Sequence, residues 1–282
     1  MRPLILSLIT LILLVSTPPK HDAQQRAMTQ NMRVHTIRSK VLSKDRYVVV
    51  WLPPGYDQDA PKRYPVFYMN DGQNKFINWR IDEIAQALIE AKEIEPLILV
   101  GVYHGGTQED RYRDYTPTHT PAHRMSGKAG AYGRMLVEEV KPFIDAEYRT
   151  LADAANTGLG GASLGGLVSL YLGLEHPAVF GRLAVISPSV WWDDRMIIKR
   201  VKKLPSKQNL RIWLDIGTGE SDQAVEDVKQ LCDALTARGW AEGADLSCLV
   251  LKGAEHNDKA FAGRAGQVLK YLFPAQAKSG LQ

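Results

Sequence analysis

Apolar positions along the chain follow two alternating spacings. Runs in which nearly every residue is apolar, such as YPVFYM (residues 64–69) and LILVGV (residues 97–102), are typical of strands buried on both faces of a parallel sheet. Between such runs lie segments with apolar residues three and four apart, as in INWRIDEIAQALIEAKEI (residues 77–94), which predict amphipathic helices. Strand and helix patterns alternate at least five times, which predicts an α/β fold with a mostly parallel, twisted sheet and helices on both faces.

The start of this domain has a different pattern. MRVHTIRSKVL (residues 32–42) and RYVVVWLPPGY (residues 46–56) read as two strands joined by a turn at residues 43–45, which predicts a leading β-hairpin. No linker, internal repeat or low-complexity segment interrupts the patterns that follow. We therefore expect one domain over residues 32–273.

The N-terminal segment is typical of a secretory signal. Arg2 precedes the apolar run LILSLITLILLV (residues 4–15), and a polar stretch follows it. The run is shorter than the ~20 residues that a spanning helix needs. We interpret residues 1–23 as a signal peptide, which predicts a periplasmic or secreted protein without membrane contact after cleavage. The alternative is an uncleaved anchor helix, and the cleavage site stays open.

The charge and cysteine content of the chain indicate which partners and which covalent cross-link to expect. Lysine and arginine number 35 and aspartate and glutamate 31, interspersed along the chain, so we expect no nucleic-acid partner. The two cysteines, Cys232 and Cys248, lie in a helix pattern and a strand pattern. Outside the cytosol they can form a disulfide. We slightly favour two separate buried thiols, and the oligomeric state stays open.

The glycine-rich stretch GLGGASLGGL (residues 158–167) carries the first candidate chemistry. A phosphate-binding loop requires a lysine after the glycines, and the chain has none there. A dinucleotide fingerprint fails because Ser163 occupies the position of its third glycine. Residues 161–165 match G-x-S-x-G, and a helix pattern follows at once. The match predicts the nucleophile elbow of an α/β hydrolase, with Ser163 as the nucleophile.

A serine nucleophile needs a base, which in this fold follows it in the chain. Only His176 and His256 come after Ser163. His176 ends the helix that Ser163 begins, which places it ~20 Å away at 1.5 Å per residue. His256 lies between the last strand pattern and the last helix pattern. We therefore predict His256 as the base.

The acid that orients the base should follow the strand pattern LRIWLDIG. The loop there contains Glu220 and Asp222, whereas Asp215 lies within the strand. We predict Glu220 as the acid and hold Asp222 in reserve. One of the two can instead cap the helix that follows.

Two backbone N–H groups are candidates for the oxyanion hole. One belongs to Leu164, directly after the predicted nucleophile at the start of a helix. The other belongs to Gln73, in the loop MNDGQNKF after the third strand pattern, where Gly72 lets the backbone bend. The alternative for this loop is a plain Asp-Gly turn.

With these residues in place, the chain resembles the esterase branch of the α/β hydrolases. That branch includes enterochelin (siderophore) esterases, esterase D, feruloyl and acetylxylan esterases, and mycolyltransferases. The resemblance covers nearly the whole chain after the signal segment and rests on motifs in the family's order: VVVWLPPGYD, YPVFYMNDGQNKF, GGASLGGL, ISPSVWW, LDIGTGESD and GAEHND. It implies oxyanion-hole roles for Gln73 and Leu164 and an acid at Glu220, and ISPSVWW is most similar to the enterochelin-esterase side.

The loop at residues 104–133 is long, and it does not match the family throughout. It contains arginines and tyrosines, which suit planar anions and aromatic groups. We predict a substrate-binding set that combines two of these arginines with three tryptophans: Trp79, Arg111, Arg113, Trp191 and Trp192. The alternative is a solvated loop and ordinary core tryptophans. His119 and His123 have a metal-like spacing, but Pro121 lies between them, so we predict no metal site.

These features together predict a serine esterase that acts on a small-molecule ester through an acyl-enzyme, needs no cofactor, and resembles siderophore esterases. A feruloyl- or acetylxylan-type carbohydrate esterase is the first alternative. An acyltransferase, or a non-catalytic binding protein on the same scaffold, are the others.

Overall fold

The computed structural model of the protein describes residues 31–275. The predicted signal peptide, residues 1–23, lies outside the described residues. Among residues 31–275, no helix combines the length and apolar composition that crossing a bilayer requires.

Eight strands form one sheet in the order β1-β2-β4-β3-β5-β6-β7-β8. Their bounds are β1 Met32–Ser39, β2 Lys44–Trp51, β3 Val66–Asn70, β4 Ile98–Val102, β5 Thr157–Ala162, β6 Arg182–Ile186, β7 Arg211–Gly217 and β8 Leu246–Leu251. β1 pairs antiparallel with β2, and β2 pairs antiparallel with β4. The six strands from β4 to β8 run parallel.

The leading hairpin is present, with Met32 opposite Trp51 and Ser39 opposite Lys44. Its turn spans residues 40–43, slightly before the predicted residues 43–45, because the second strand already begins at Lys44. The predicted fold class, an α/β hydrolase with a mostly parallel sheet, is confirmed.

The helices cover both faces of the sheet. Their bounds are α1 Gly72–Lys75, α2 Ile81–Glu90, α3 Gln108–Tyr115, α4 Ala129–Met135, α5 Lys141–Glu147, α6 Leu164–Glu175, α7 Trp192–Lys202, α8 Asp222–Ala237 and α9 Asp258–Leu272. A π-helical turn at Leu136–Val140 joins α4 to α5, and short 3₁₀ turns lie at Tyr56–Gln58 and Ala154–Asn156.

Strand β3 shows how the core is divided into two layers. Val66 and Tyr68 belong to an apolar cluster on one face of the sheet, which includes residues of α4 and α6. Phe67 and Met69 alternate with them and belong to a cluster on the other face, which includes residues of α2 and α9. A strand that buries both faces is continuously apolar, which explains why its sequence does not alternate with polar residues.

Cys232 in α8 and Cys248 in β8 are joined by a disulfide, with 6.3 Å between their Cα atoms. The preference for two separate thiols was therefore wrong. α8 packs beside the strand pair β7–β8, and this packing brings two cysteines that are 16 residues apart within bonding distance.

Candidate active site

Ser163 lies at the sharp turn between β5 and α6. Its backbone dihedrals are φ 61° and ψ −123°, which is a strained conformation for a residue with a side chain. The turn is tight enough that a Cβ on Gly161 would lie 2.9 Å from the carbonyl carbon of Gly165. The Ser163 N–H donates to the carbonyl oxygen of Ile186 at 3.0 Å, which ties the turn to the neighbouring strand. The local geometry is that of a nucleophile elbow.

His256 and Glu220 meet at the carboxyl ends of β8 and β7. The distance from His256 Nδ1 to Glu220 Oε2 is 2.6 Å, and the Glu220 side chain is 6% exposed. Because a carboxylate only accepts hydrogen bonds, Nδ1 carries the proton and Nε2 is left free to accept one. Asp222, the reserve candidate, is instead the first residue of α8. The geometry therefore joins His256 to Glu220.

The other oxygen of Glu220 is held by two donors. Ser187 Oγ–H donates to Oε1 at 2.6 Å, and the Gly217 N–H donates to the same atom at 3.2 Å. Burial alone would raise the pKa of the Glu220 carboxyl, but the hydrogen bonds from His256 and Ser187 outweigh it and lower that pKa. Glu220 is thus held as a carboxylate in a fixed orientation.

Behind Ser187 lies a buried ion pair that sequence reasoning missed. Arg264 Nη2 donates to Ser187 Oγ at 2.5 Å and lies 3.3 Å from Asp215 Oδ1. An arginine only donates, so the Ser187 hydroxyl must direct its own proton to Glu220. Ser187 directly follows β6, and this position at the carboxyl end of a central strand was the one signal in the sequence. Arg264 lies within α9, where the sequence offered no comparable signal.

The backbone at the start of α1 is fixed by close packing. A Cβ on Gly72 would lie 2.3 Å from the carbonyl carbon of Gly101 in β4, so only glycine fits this approach. The approach sets the position of Gln73, the second residue of α1. Leu164 is the first residue of α6. N–H groups in the first turn of a helix have no intrahelical partner, so both remain candidate oxyanion donors.

Two cavities meet at Ser163, and both are also lined by Gln108 and Arg111. The larger cavity, of about 450 Å³, includes Leu164, Ser189, Trp191, Glu220 and His256 in its lining. The Ser163 hydroxyl lies 3.3 Å from the Ser189 hydroxyl there. The smaller cavity, of about 230 Å³, includes Asp71, Lys75, His104, Asp258 and Phe261. An ester bound at Ser163 can therefore place one part in each cavity.

Two of the five predicted substrate-binding residues reach these cavities. Arg111 lines both cavities, although its guanidinium also makes a bidentate contact with Asp71, at 2.7 Å and 2.9 Å. Burial alone would raise the pKa of Asp71, but the charge and hydrogen bonds of Arg111, together with the charge of Lys75, outweigh it and lower that pKa. Trp191 lines the larger cavity and is 51% exposed.

The other three predicted residues line neither of these two cavities in the described part of the chain, because each is engaged in packing. Arg113 forms ion pairs with Asp110 and Asp114. Trp192 is buried and donates its indole N–H to Thr118. Trp79 is buried too, donates to Asp258 at 2.8 Å, and packs against Phe261. The contacts of Trp79 and Trp192 join segments that are distant in the chain, so the sequence did not show them. Those of Arg113 lie within α3.

His123, one of the two loop histidines with metal-like spacing, packs against aromatic side chains. The His123 ring stacks on Tyr112, with 4.0 Å between the ring centroids, and also lies against Trp192. This packing gives His123 a structural contact at the edge of the larger cavity, which Tyr112 lines.

The parallel sheet with its elbow serine and histidine–carboxylate pair defines an α/β-hydrolase architecture. The family model described as "Putative esterase" matches residues 39–267, which is most of the chain. The chain therefore belongs to this esterase family, and the predicted family and the prediction of an esterase are confirmed.

Similar proteins point in the same direction. Ferri-bacillibactin esterase BesA of Bacillus subtilis is 28% identical over 180 residues, which cover 58% of this chain and 62% of BesA. An endo-1,4-beta-xylanase/feruloyl esterase of Xylanibacter ruminicola is 26% identical over 238 residues, 80% of this chain and 29% of that protein. The crystal structure of the BES protein from Bacillus cereus superposes with a TM-score of 0.72 at 23% identity, covering 87% of this chain and 96% of that one. The last likeness shows a shared fold.

Proposed function

We propose that the protein is a serine esterase in which Ser163, His256 and Glu220 form the catalytic triad. The observation that carries the proposal is the 2.6 Å contact between His256 and Glu220 on the cavity that the strained Ser163 lines. A carboxylate that holds the Nδ1–H of a histidine fixes the tautomer in which Nε2 can accept the serine proton.

In the proposed reaction, Ser163 Oγ attacks the carbonyl carbon of the ester while His256 Nε2 takes the hydroxyl proton. The N–H groups of Leu164 and Gln73 stabilise the oxyanion, each such donor contributing about 3 kcal/mol. Collapse of the tetrahedral intermediate breaks the bond to the alcohol, which leaves with the proton from His256. Water, deprotonated by His256, then attacks the acyl-enzyme and releases the acid, and the proton returns to Ser163.

We further propose that the substrate is a siderophore-type ester. The similarity to ferri-bacillibactin esterase supports this class, as do Trp191 and Arg111 beside the reacting serine, which suit a catecholate or another anionic aromatic group of the substrate. A feruloyl ester is the second candidate, favoured by the match to the xylanase/feruloyl esterase over 80% of this chain.

The experiment is hydrolysis of p-nitrophenyl acetate by the protein beside its Ser163→Ala variant. Loss of the nucleophile in a working triad lowers kcat by about 10⁶. The exposed Ser206→Ala serves as the matched serine control and should keep the parent rate. Equal rates in the parent and Ser163→Ala would refute the triad. An active parent would then be given a catecholate trilactone and a feruloyl sugar ester, and the higher kcat/KM would decide between the two classes.

Transfer to an added alcohol separates a hydrolase from an acyltransferase. If the acyl-enzyme passes its acyl group to water, the yield of free acid stays equal to that of p-nitrophenol when glycerol is present. A new ester that grows at the expense of free acid would instead favour the acyltransferase.

We also propose that the protein works outside the cytosol. The apolar N-terminal segment supports export, and so does the Cys232–Cys248 disulfide, because such bonds persist in oxidising compartments. N-terminal sequencing of the protein from the periplasm or medium should begin near residue 24.

A further inference from the structure

Lys75 is a buried lysine beside the candidate nucleophile. It ends α1 and is 3% exposed, and its ammonium nitrogen lies 3.6 Å from the centre of the Trp79 ring. Within the described chain its ammonium group has no hydrogen-bond acceptor from another residue. An ammonium carries three N–H donors, and burying a charge without hydrogen bonds is unfavourable. These donors are therefore available to a ligand.

Lys75 lines the smaller cavity together with Ser163. The two carboxylates of that cavity already have partners on both oxygens. Asp71 accepts two hydrogen bonds from Arg111, and Asp258 accepts from the Trp79 indole at 2.8 Å and from Asn78 at 2.7 Å. Among the charged side chains of this lining, the one that lacks a hydrogen-bond partner in the described chain is thus a cation, and its natural ligand is an acceptor that carries negative charge.

The position of His256 indicates which part of an ester enters the smaller cavity. The leaving alcohol must take a proton from His256, and His256 lines the larger cavity but is not in the described lining of the smaller one. The alcohol therefore belongs in the larger cavity. The acyl part lies across Ser163, on the side of Lys75.

We propose that the smaller cavity is an acyl subsite for esters whose acyl chain carries a carboxylate, and that Lys75 binds this carboxylate. The proposal rests on the serine-esterase function above and adds a substrate class to it. The cation–π contact with Trp79 holds the Lys75 ammonium in place before the ligand arrives, which reduces the ordering that binding requires.

The charge of Lys75 is sensitive to pH. Burial lowers its pKa to about 8, with Asp71 and Asp258 opposing that effect and Arg111 adding to it. His104 lines the same cavity, and burial lowers its pKa, so its neutral form prevails near neutral pH. A lysine with a lowered pKa loses its charge as pH rises, so binding of a carboxylate should weaken in mildly alkaline solution.

The test compares kcat/KM for two esters of similar size, p-nitrophenyl hemisuccinate and p-nitrophenyl butyrate. The ratio of the first to the second isolates the effect of the carboxylate. We expect Lys75→Met to lower this ratio about 10- to 100-fold relative to the parent, as expected for loss of a charged hydrogen bond. Lys259→Met, an exposed lysine of α9, is the matched control and should keep the parent ratio, which excludes a long-range charge effect.

A second measurement follows the same ratio of kcat/KM values as a function of pH. In the parent, the ratio should fall between pH 7 and pH 9.5, and the fall should be absent in Lys75→Met. If Lys75→Met does not fold, the parent pH series and Lys75→Arg, which should retain the preference for hemisuccinate, decide the question.

The outcomes separate this inference from the proposed function. An unchanged ratio in folded Lys75→Met, or a parent ratio that stays constant across the pH series, would overturn the acyl subsite even with Ser163-dependent butyrate hydrolysis intact. If neither ester is hydrolysed in a Ser163-dependent way, the esterase mechanism itself fails.

Discussion

The hydroxyl of Ser187 offers a direct test of how Glu220 is held. Ser187→Ala removes the donor that lies 2.6 Å from Glu220 Oε1 and leaves the contact between Oε2 and His256 in place. Both serine and alanine carry a Cβ, so the left-handed backbone at Ser187, with φ 39°, is equally strained in the two proteins. The substitution therefore removes this hydrogen bond, and the one that Ser187 accepts from Arg264, with little change in the backbone.

The size of the effect follows from the kind of hydrogen bond that is lost. A hydrogen bond to a charged group contributes about 1.5–3 kcal/mol, and 1.36 kcal/mol corresponds to a tenfold rate change. In the proposed mechanism the bond matters most in the transition state, when His256 becomes an imidazolium that a fixed carboxylate stabilises. We expect kcat to fall about 10- to 100-fold with a small change in KM, because Ser187 positions Glu220 and the reacting atoms remain in place.

The assay is steady-state hydrolysis of p-nitrophenyl acetate, with Ser206→Ala as the surface control. Unfolding in urea at two pH values supplies an independent readout. The pKa of Glu220 is lowered in the folded protein, so its contribution to the free energy of unfolding is present above the unfolded pKa and is lost as pH falls through the folded pKa. The stability difference between parent and Ser187→Ala should therefore shrink in acid. A kcat within twofold of the parent would refute the reasoning.

Two further predictions concern stability. Reduction of the Cys232–Cys248 disulfide opens a loop closed across 16 residues, so it should lower the free energy of unfolding by about 3 kcal/mol and Tm by about 6–12 °C. The measurement is thermal unfolding with and without a phosphine reductant. The Cys232→Ser, Cys248→Ser double variant should not respond to the reductant, and an unchanged Tm in the parent would contradict the prediction. Gly72→Ala places a Cβ against the backbone of Gly101 and should destabilise the protein by about 1–3 kcal/mol in urea unfolding. It should also lower kcat, because it displaces Gln73. Gly263→Ala, whose Cβ would meet open space in α9, is the control and should be neutral or stabilising in the same assay.

The sequence pattern of a single segment was sufficient to predict its secondary structure where burial and periodicity agree. The apolar strands β3 and β4 and the helix α2 could be predicted because each segment carries its own pattern. Strand β5 is the opposite case, since TGLGGA has little intrinsic strand preference. It forms because β3 and β6 pair with it on both sides and because glycines fit beside Phe67 and Ala184. That information lies in other segments of the chain.

The candidate active site likewise contains residues that the sequence could place and residues whose contacts depend on tertiary packing. The placement of Ser163 at the turn after β5 and of His256 after β8 could be predicted, because the fold fixes where along the chain such residues occur. Their roles as nucleophile and base belong to the proposed function. Trp79 and Trp192 could not be excluded from substrate binding, because the groups that engage them, Asp258 and Thr118, are brought to them by tertiary packing. The preference for two separate thiols was wrong for a similar reason, since spacing alone does not give the distance between α8 and β8.

The carboxylates around the nucleophile show why residue type alone does not assign a catalytic acid. Asp71 is held on both oxygens by Arg111, and Asp215 accepts from the Trp213 indole and lies beside Arg264. Burial raises the pKa of Asp215 in spite of that arginine. Both aspartates are therefore committed to partners other than His256.

Glu220 differs because, among the residues that the structure describes, no cation contacts its second oxygen. Ser187 and Gly217 hold Oε1 with neutral donors, which leaves the negative charge of the carboxylate without a cation in contact until His256 takes up a proton. An arginine at the place of Ser187 would cancel part of that charge and weaken its hold on an imidazolium. Arg264 instead donates to the Ser187 hydroxyl, which in turn donates to Glu220. Arg264 thus orients Ser187, while its own charge lies beside Asp215. The arrangement keeps a fixed carboxylate whose charge remains available to the histidine, which is what a triad acid requires.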